Sequence, residues 1–190
     1  MNPIAAQLSA AARLHAALAD DAALQDAIAR AAALWVRTLR DGGKILFVGN
    51  GGSAADAQHL AGELVGRFLK DRAPLAAMAL TVNTSILTAL ANDFGGEYLF
   101  ARQVAALGRP GDLLVALTTS GASPNILAAL RAAREGGLQT MALTGRSGGP
   151  AADLCDLVLA VPSDETPRIQ EAHILIGHIL CERAEGEMFP

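Results

Sequence analysis

Five short apolar runs alternate along the chain with helix-like stretches, and this alternation restricts the fold more than any other feature. The runs are Lys44 to Gly49, Leu75 to Leu80, Leu113 to Leu117, Thr140 to Leu143 and Leu157 to Val161. Each is continuous, the pattern of a parallel strand covered on both faces. Helical patterns lie between them at Ser53 to Phe68, at Thr84 to Ala91 with Tyr98 to Ala106, at Pro124 to Glu135, and briefly near Pro150 to Cys155. Such an order specifies an α/β fold, a doubly wound five-stranded parallel sheet flanked by helices. Its ligand site belongs at the carboxyl ends of the strands. Ahead of the first strand, Leu24, Ile28, Ala31, Trp35 and Leu39 keep helical spacing, so Ile4 to Leu39 reads as two helices or one bent helix, stopped by Gly42 and Gly43. The chain is thus read as one domain over residues 1–190: a helical region 1–41 used in oligomerisation, and an α/β core 42–190 that includes a C-terminal helix.

That last helix is expected to start with Thr166 as N-cap and Pro167 at the first helical position. Its apolar residues, Ile169, Ala172, Ile174, Leu175, Ile176, Ile179 and Leu180, go nearly all the way round. A helix without a polar face must be covered on every side, which a second subunit does most easily. Composition agrees, with 52% hydrophobic and 18% charged residues, an apolar surplus over the ordinary soluble domain. The net charge of -4 and the lack of a Lys/Arg cluster argue against nucleic acid. Cys155 and Cys181 form no CxxC pair and suit a reducing compartment. The N-terminus lacks a basic leader and is interrupted by Arg13, His15 and Asp20, so it reads as a helix rather than a signal peptide. No run approaches the roughly 18 apolar residues that span a bilayer. The expected location is the cytoplasm.

Two strand-end loops carry candidate chemistry. Thr118, Thr119, Ser120 and Ser123 offer four hydroxyls just before a helix that begins near Ser123 and Pro124. Free N–H groups at a helix start, the helix dipole and short hydroxyl donors together form a phosphate cradle; an ordinary N-cap is the plain alternative. Asn50, Gly51, Gly52 and Ser53 form a second turn whose glycines let backbone approach a ligand while Ser53 caps the next helix. It is neither GxGxxG nor a P-loop, so no nucleotide is implied.

On the following helix His59 and Glu63 stand four residues apart and lean to one face, able to share a metal ion or a proton, or simply to pair at the surface. Gln170, His173 and His178 sit among apolar neighbours on the last helix. A His, Glu, Gln, His set suits Zn²⁺ or a similar divalent ion, although either His173 or His178 could be a hydrogen-bonded core histidine. Gln170 and His178 are eight residues apart, roughly 12 Å of rise, so one of them must reach the site from the helix start or from a neighbouring subunit. Asn92 and Asp93 end a helical stretch and could hold substrate hydroxyls or act as a plain helix stop.

These segments resemble the SIS (sugar isomerase) domain family and, within it, the phosphoheptose isomerases. The resemblance is carried by Gly49 to His59, Ala91 to Gly95, Thr119 to Asn125 and Thr166 to His178, in order and across nearly the whole chain. It implies a homotetramer with active sites between subunits that converts sedoheptulose 7-phosphate to D-glycero-D-manno-heptose 7-phosphate for lipopolysaccharide core or capsule. It further implies one zinc ion per subunit held by His59, Glu63, Gln170 and His178. Substrate contacts carry over to Asn50, Gly51, Gly52, Ser53, Glu63, Asn92, Asp93, Thr118, Thr119, Ser120, Ser123 and Gln170, with Glu63 and His178 as the acid/base pair. Some members have serine where Thr118 stands and aspartate where Pro167 stands, so Pro167 is assigned no role. The competing expectation is a non-catalytic SIS adaptor that binds the replication initiator DnaA; such adaptors lack the acid/base residues that this chain has.

Overall fold

The computed structural model describes residues 2–190. Two helices open it, α1 (Pro3–Asp20) and α2 (Ala22–Arg40), broken at Asp21, whose carboxylate accepts the Leu24 N–H and caps the second. The core then alternates: β1 (Ile45–Gly49), α3 (Gly52–Val65), β2 (Ala77–Ala79), α4 (Thr84–Phe94), α5 (Ala101–Leu107), β3 (Leu113–Leu117), α6 (Pro124–Glu135), β4 (Gln139–Thr144), β5 (Leu157–Ala160) and α7 (Thr166–Met188). 3-10 helices at Gly96–Tyr98 and Gly149–Leu154 take the start of the stretch expected from Tyr98 and most of the one expected near Pro150 to Cys155.

All five strands run parallel in the order β2-β1-β3-β4-β5. The chain leaves β1 toward β2 on one side and returns to place β3 on the other. The loops after β1 and β3 therefore diverge around a topological switch point, where an open α/β sheet leaves a crevice. Alternate residues of the central strands feed two cores. Ile45, Phe47, Leu113 and Val115 pack with α2, α3 and α7, whereas Leu46, Val48, Leu114 and Ala116 pack with α5 and α6.

Four local expectations are corrected. β2 covers three residues instead of six: the Leu75 N–H turns back to the Leu64 carbonyl of α3, and Leu80 adds only its N–H to the Phe47 carbonyl beyond the strand's end. α3 stops at Val65, where Gly66 is the C-cap and donates to the Gly62 carbonyl, and the N–H groups of Phe68, Leu69 and Lys70 go instead to a carboxylate of α7. Glu165, extended at φ -91 and ψ 112, takes the cap position expected of Thr166, and Pro167 remains within the first turn, where its missing N–H leaves no bond unmade. Asn92 and Asp93 lie inside the last turn of α4, which ends at Gly95 with φ 87.

The last helix is covered on one side only. α7 buries Ile169, Ala172, Ile176, Leu180 and Ala184 against α2 and α3, while Leu175 and Ile179 stay 37% exposed. α4 has no buried residue at all, and Val82, Ile86, Phe94 and Tyr98 near it are exposed. Among the described residues no helix is long and apolar enough to cross a membrane, and both cysteines are free thiols whose pKa burial pushes up to about 12.

Candidate active site

Two groups of polar residues form on the chain, one at each end of the contact between α3 and α7. The first surrounds the switch point. Asn50, Gly51, Gly52, Ser53, Thr118, Thr119, Ser123, Thr166 and Gln170 line one cavity of about 240 Å³. Gly51 makes the turn possible: its φ of 56 starts α3 at Gly52, so Ser53 lies buried in the first turn instead of capping the helix as expected. Ser123 does occupy the N-cap of α6, yet its hydroxyl makes no capping bond. Hydroxyl and exposed helix N–H groups are thus both available to an anion, which disfavours the ordinary-cap reading. Thr118 is buried, and its Oγ1 accepts the Gly121 N–H at 3.2 Å, folding the loop over itself. Ser120 similarly accepts the Ala122 N–H at 3.2 Å and faces an adjoining cavity with Arg146, Ser147 and Ser163.

Asn125 is a residue whose position in the site the sequence did not single out. Its side-chain amide and that of Asn50 exchange two hydrogen bonds of 2.8 and 2.9 Å, tying the β1 loop to the start of α6. The one signal for it is an amide two residues after the hydroxyl loop. Asn92 and Asp93 are exposed and bonded to each other, Nδ2 to Oδ1 at 2.7 Å. The structure does not bring them to the cavity, although Ala91 and Asn50 share a neighbouring groove.

The second group lies farther along the two helices. His59 Nε2 stands 3.0 Å from Glu63 Oε1 and 3.1 Å from His178 Nε2, and the ligand atoms of the three side chains lie within 4.8 Å of one another. The rings of His59 and His178 have centroids 5.0 Å apart, and Phe68 covers the second ring at 5.7 Å. Three lone-pair-bearing atoms converging this closely need a shared proton or a cation between them. The 3.0 and 3.1 Å separations approach the roughly 3.3 Å edge of a tetrahedron built on metal bonds of about 2.0–2.1 Å. The nitrogen and oxygen donors thus fit a divalent ion. Asp56, half-buried on the same helix, has its Oδ2 enclosed without a partner.

The two ambiguous histidines of α7 separate cleanly. His173 is fully buried, donates from Nε2 to the Thr144 carbonyl at 3.1 Å, and is pushed down to about 4 by burial against the pull of that hydrogen bond. It is a neutral core residue. His178, five residues on, faces α3.

Gln170 does not join the triad within one chain. A Cβ added at Gly52 would lie 2.7 Å from both Gln170 side-chain heteroatoms, whereas one added at Gly177 would lie 2.6 Å from Leu60 Cδ2. α3 and α7 therefore run side by side in the same direction, pairing residue 52 with 170 and residue 60 with 177. Gln170 belongs to the crevice, and His178 belongs to the triad about 12 Å along the axis.

A buried brace holds the far end of both helices. Glu185 accepts the N–H groups of Phe68 at 2.9 Å and of Leu69 and Lys70 at 2.7 Å, and Arg72 Nε at 2.8 Å. Arg72 in turn donates to the Glu63 and Leu64 carbonyls at the end of α3. Burial alone would raise the Glu185 carboxyl, but these four donors outweigh it and pull it down to about 2.

Comparison with known proteins gives consistent results. A model of the SIS domain matches residues 8–145. A phosphoheptose isomerase of Rhodospirillum rubrum is 59% identical over 162 residues, 85% of this chain and 86% of the relative. One from a Bradyrhizobium species is 52% identical over 193 aligned positions, covering 99% of this chain and 98% of its own. Among solved structures, the phosphoheptose isomerase of Neisseria gonorrhoeae superposes with a TM-score of 0.90 at 44% identity, covering 96% of this chain and 97% of that one. That of Francisella tularensis gives 0.92 at 41% identity, covering 96% of each.

Proposed function

The chain belongs to the SIS domain family and, within it, to the phosphoheptose isomerases, and from that premise we propose how its residues carry out the reaction. It is a ketose–aldose isomerase that converts sedoheptulose 7-phosphate to D-glycero-D-manno-heptose 7-phosphate. The observation that carries the mechanism is the convergence of Glu63, His59 and His178. The reaction moves one proton from C1 to C2 and another from O1 to O2, through an enediolate. Glu63 removes the C1 proton and returns it to C2; its Oε1 faces His59, leaving Oε2 for the substrate. His178 carries the proton between the oxygens, and the exchange of these two roles is a variant of the same scheme. His59, Glu63 and His178, joined by Gln170, would hold a zinc ion, one per subunit, which supplies Lewis-acid polarisation of the carbonyl.

Phosphate is assigned to the crevice at Ser53, Thr118, Thr119 and Ser123, with Ser120 contributing from the adjoining cavity and Asn50, Gly51, Gly52 and Gln170 on the sugar beside it. In one chain this crevice is too far from the triad. Gln170 lies against Gly52, about 12 Å of rise from His178, and metal bonds of about 2 Å do not join the two to one ion. The crevice of one subunit must therefore work with the triad of another, and Gln170 reaches the ion from that neighbour. The exposed apolar residues of α4, Leu175 and Ile179 supply surface for such contacts. Asn92 and Asp93, unplaced in one chain, would meet substrate in the same way. This separation supports sites shared between subunits; the family resemblance adds the remaining terms of the reading, a homotetramer of single-domain subunits working in the cytoplasm with its product directed to nucleotide-activated heptoses of lipopolysaccharide core or capsule. Nothing in the relatives reported above favours the DnaA-binding adaptor.

Glu63→Gln tests the assignment. Turnover of sedoheptulose 7-phosphate should fall by about 10²-fold or more, with the oligomer unchanged by size-exclusion chromatography and light scattering. Near-normal kcat in the variant would refute the role of Glu63.

A further inference from the structure

We propose that Asp56 is a positioning residue: with a divalent cation bound, its carboxylate turns to accept the Nδ1–H of His59 and so fixes Nε2 as the nitrogen presented to the ion. The inference rests on the reading of His59, Glu63 and His178 as a cation site. It starts from an unexplained group. Asp56 Oδ2 is enclosed and has no hydrogen-bond partner, and a buried acceptor left unmatched costs about 1–3 kcal/mol.

Helical geometry limits the partners it can take. Asp56 lies three residues before His59 on α3, and residues at that spacing share a face. His59 has already committed one ring nitrogen, since Nε2 faces both Glu63 and His178. The donor left to be oriented is Nδ1. Burial pushes the Asp56 carboxyl above the ordinary carboxylate range, and the imidazoles of His59 and then His178 pull the other way, which puts both rings within electrostatic reach of it. A metal-binding histidine commonly gives its second N–H to a carboxylate, which sets the tautomer and raises the basicity of the ligating nitrogen. Asp56 stands on the same helix and would reach His59 by rotation of its side chain, since no hydrogen bond or ion pair joins the two in this structure.

The test measures cation affinity on the purified full-length oligomer. Zn²⁺ is titrated in competition with a chromophoric chelator into wild type, Asp56→Asn, Asp56→Ala and His59→Ala, and the Co²⁺ absorption bands are recorded for each. Asp56→Ala should weaken Zn²⁺ binding by about 10–100-fold and shift the Co²⁺ bands. Asp56→Asn, which keeps an acceptor without the charge, should fall between that and wild type; being nearly isosteric, it keeps the test valid if the alanine variant fails to fold. A merely packing role would lower the melting temperature of the apo protein and leave both metal readouts alone, which overturns the proposal. If His59→Ala loses the ion but both Asp56 variants bind it like wild type, the positioning role is wrong and the site reading stands. If wild type binds no better than His59→Ala, the site reading itself falls and this inference with it.

Discussion

Replacing Glu185 with glutamine should destabilise the protein severely, although the residue lies outside the candidate site. The side chains of Arg72 and Glu185 are 1% and 2% exposed. Glutamine keeps the shape but removes the charge, leaving a buried guanidinium without its counterion. Half of the glutamine head is also a donor, and it would face the N–H groups of Phe68, Leu69 and Lys70 that now bond to the carboxylate. Removing one partner of a buried, hydrogen-bonded pair costs about 3–5 kcal/mol, a large share of the 5–15 kcal/mol that typically separates a folded domain from its unfolded chain. Replacing both partners with apolar residues should not restore the loss. Arg72 also donates to the Glu63 and Leu64 carbonyls, which would then be left unpaired at the end of α3.

Urea unfolding at one fixed protein concentration is the assay, because dissociation of an oligomer contributes to apparent stability. The pH dependence supplies an internal control. Glu185 is held down to about 2, below its ordinary value of 4.5. Its contribution is therefore complete above pH 4.5 and is lost as pH falls from there toward 2. The stability gap between wild type and Glu185→Gln should narrow over that window and stay constant above it. A variant that unfolds at the wild-type urea midpoint at neutral pH, or a gap indifferent to acid, would show that the brace carries no such energy.

Two glycine substitutions separate site from scaffold. Gly52→Ala places a methyl 2.7 Å from the Gln170 amide; the flexible glutamine swings away, so KM for sedoheptulose 7-phosphate should rise several-fold while the urea midpoint moves by less than about 0.5 kcal/mol equivalent. Gly177→Ala drives its methyl into fully buried Leu60, 2.6 Å from Cδ2; overpacking of about 1–3 kcal/mol outweighs a helix-propensity gain of up to about 1 kcal/mol. That variant should lose stability and, because His178 is the next residue, cation affinity as well; an unchanged melting temperature would contradict the close approach of α3 and α7.

The parts of this structure that were legible in the sequence are those fixed by local periodicity. Continuous apolar runs give the central strands β1, β3 and β4 because each is covered on both faces, while the run at the edge strand β2 exceeds the strand because the Leu75 N–H bonds to α3 and Leu80 adds one bond to β1 beyond the strand's end. The i,i+4 spacing of His59 and Glu63 was readable for the same reason. What could not be read was set by residues more than 100 positions away. Gly66 at the C-cap of α3 is a local stop signal, but the capture of the Phe68, Leu69 and Lys70 N–H groups by Glu185 is not announced by any feature of residues 66–70. Asp56 gave no signal either, since an aspartate near a helix start normally reads as a solvated, dipole-favoured residue; only the enclosure of its oxygen gives it a role.

Gln170 and His178 show where the two kinds of information meet. Their spacing along one helix already ruled out a common site near both ends, and the side-by-side course of α3 and α7 turns that restriction into a positive requirement. Each chain presents the crevice with Gln170 at one end of the helix pair and the His59, Glu63 and His178 triad at the other. On the proposed assignment, a monomer holding every residue of the site would still lack a Gln170 ligand beside its own triad. Dilution to monomers should therefore abolish turnover while each chain keeps its triad, and specific activity independent of protein concentration would refute sites shared between subunits.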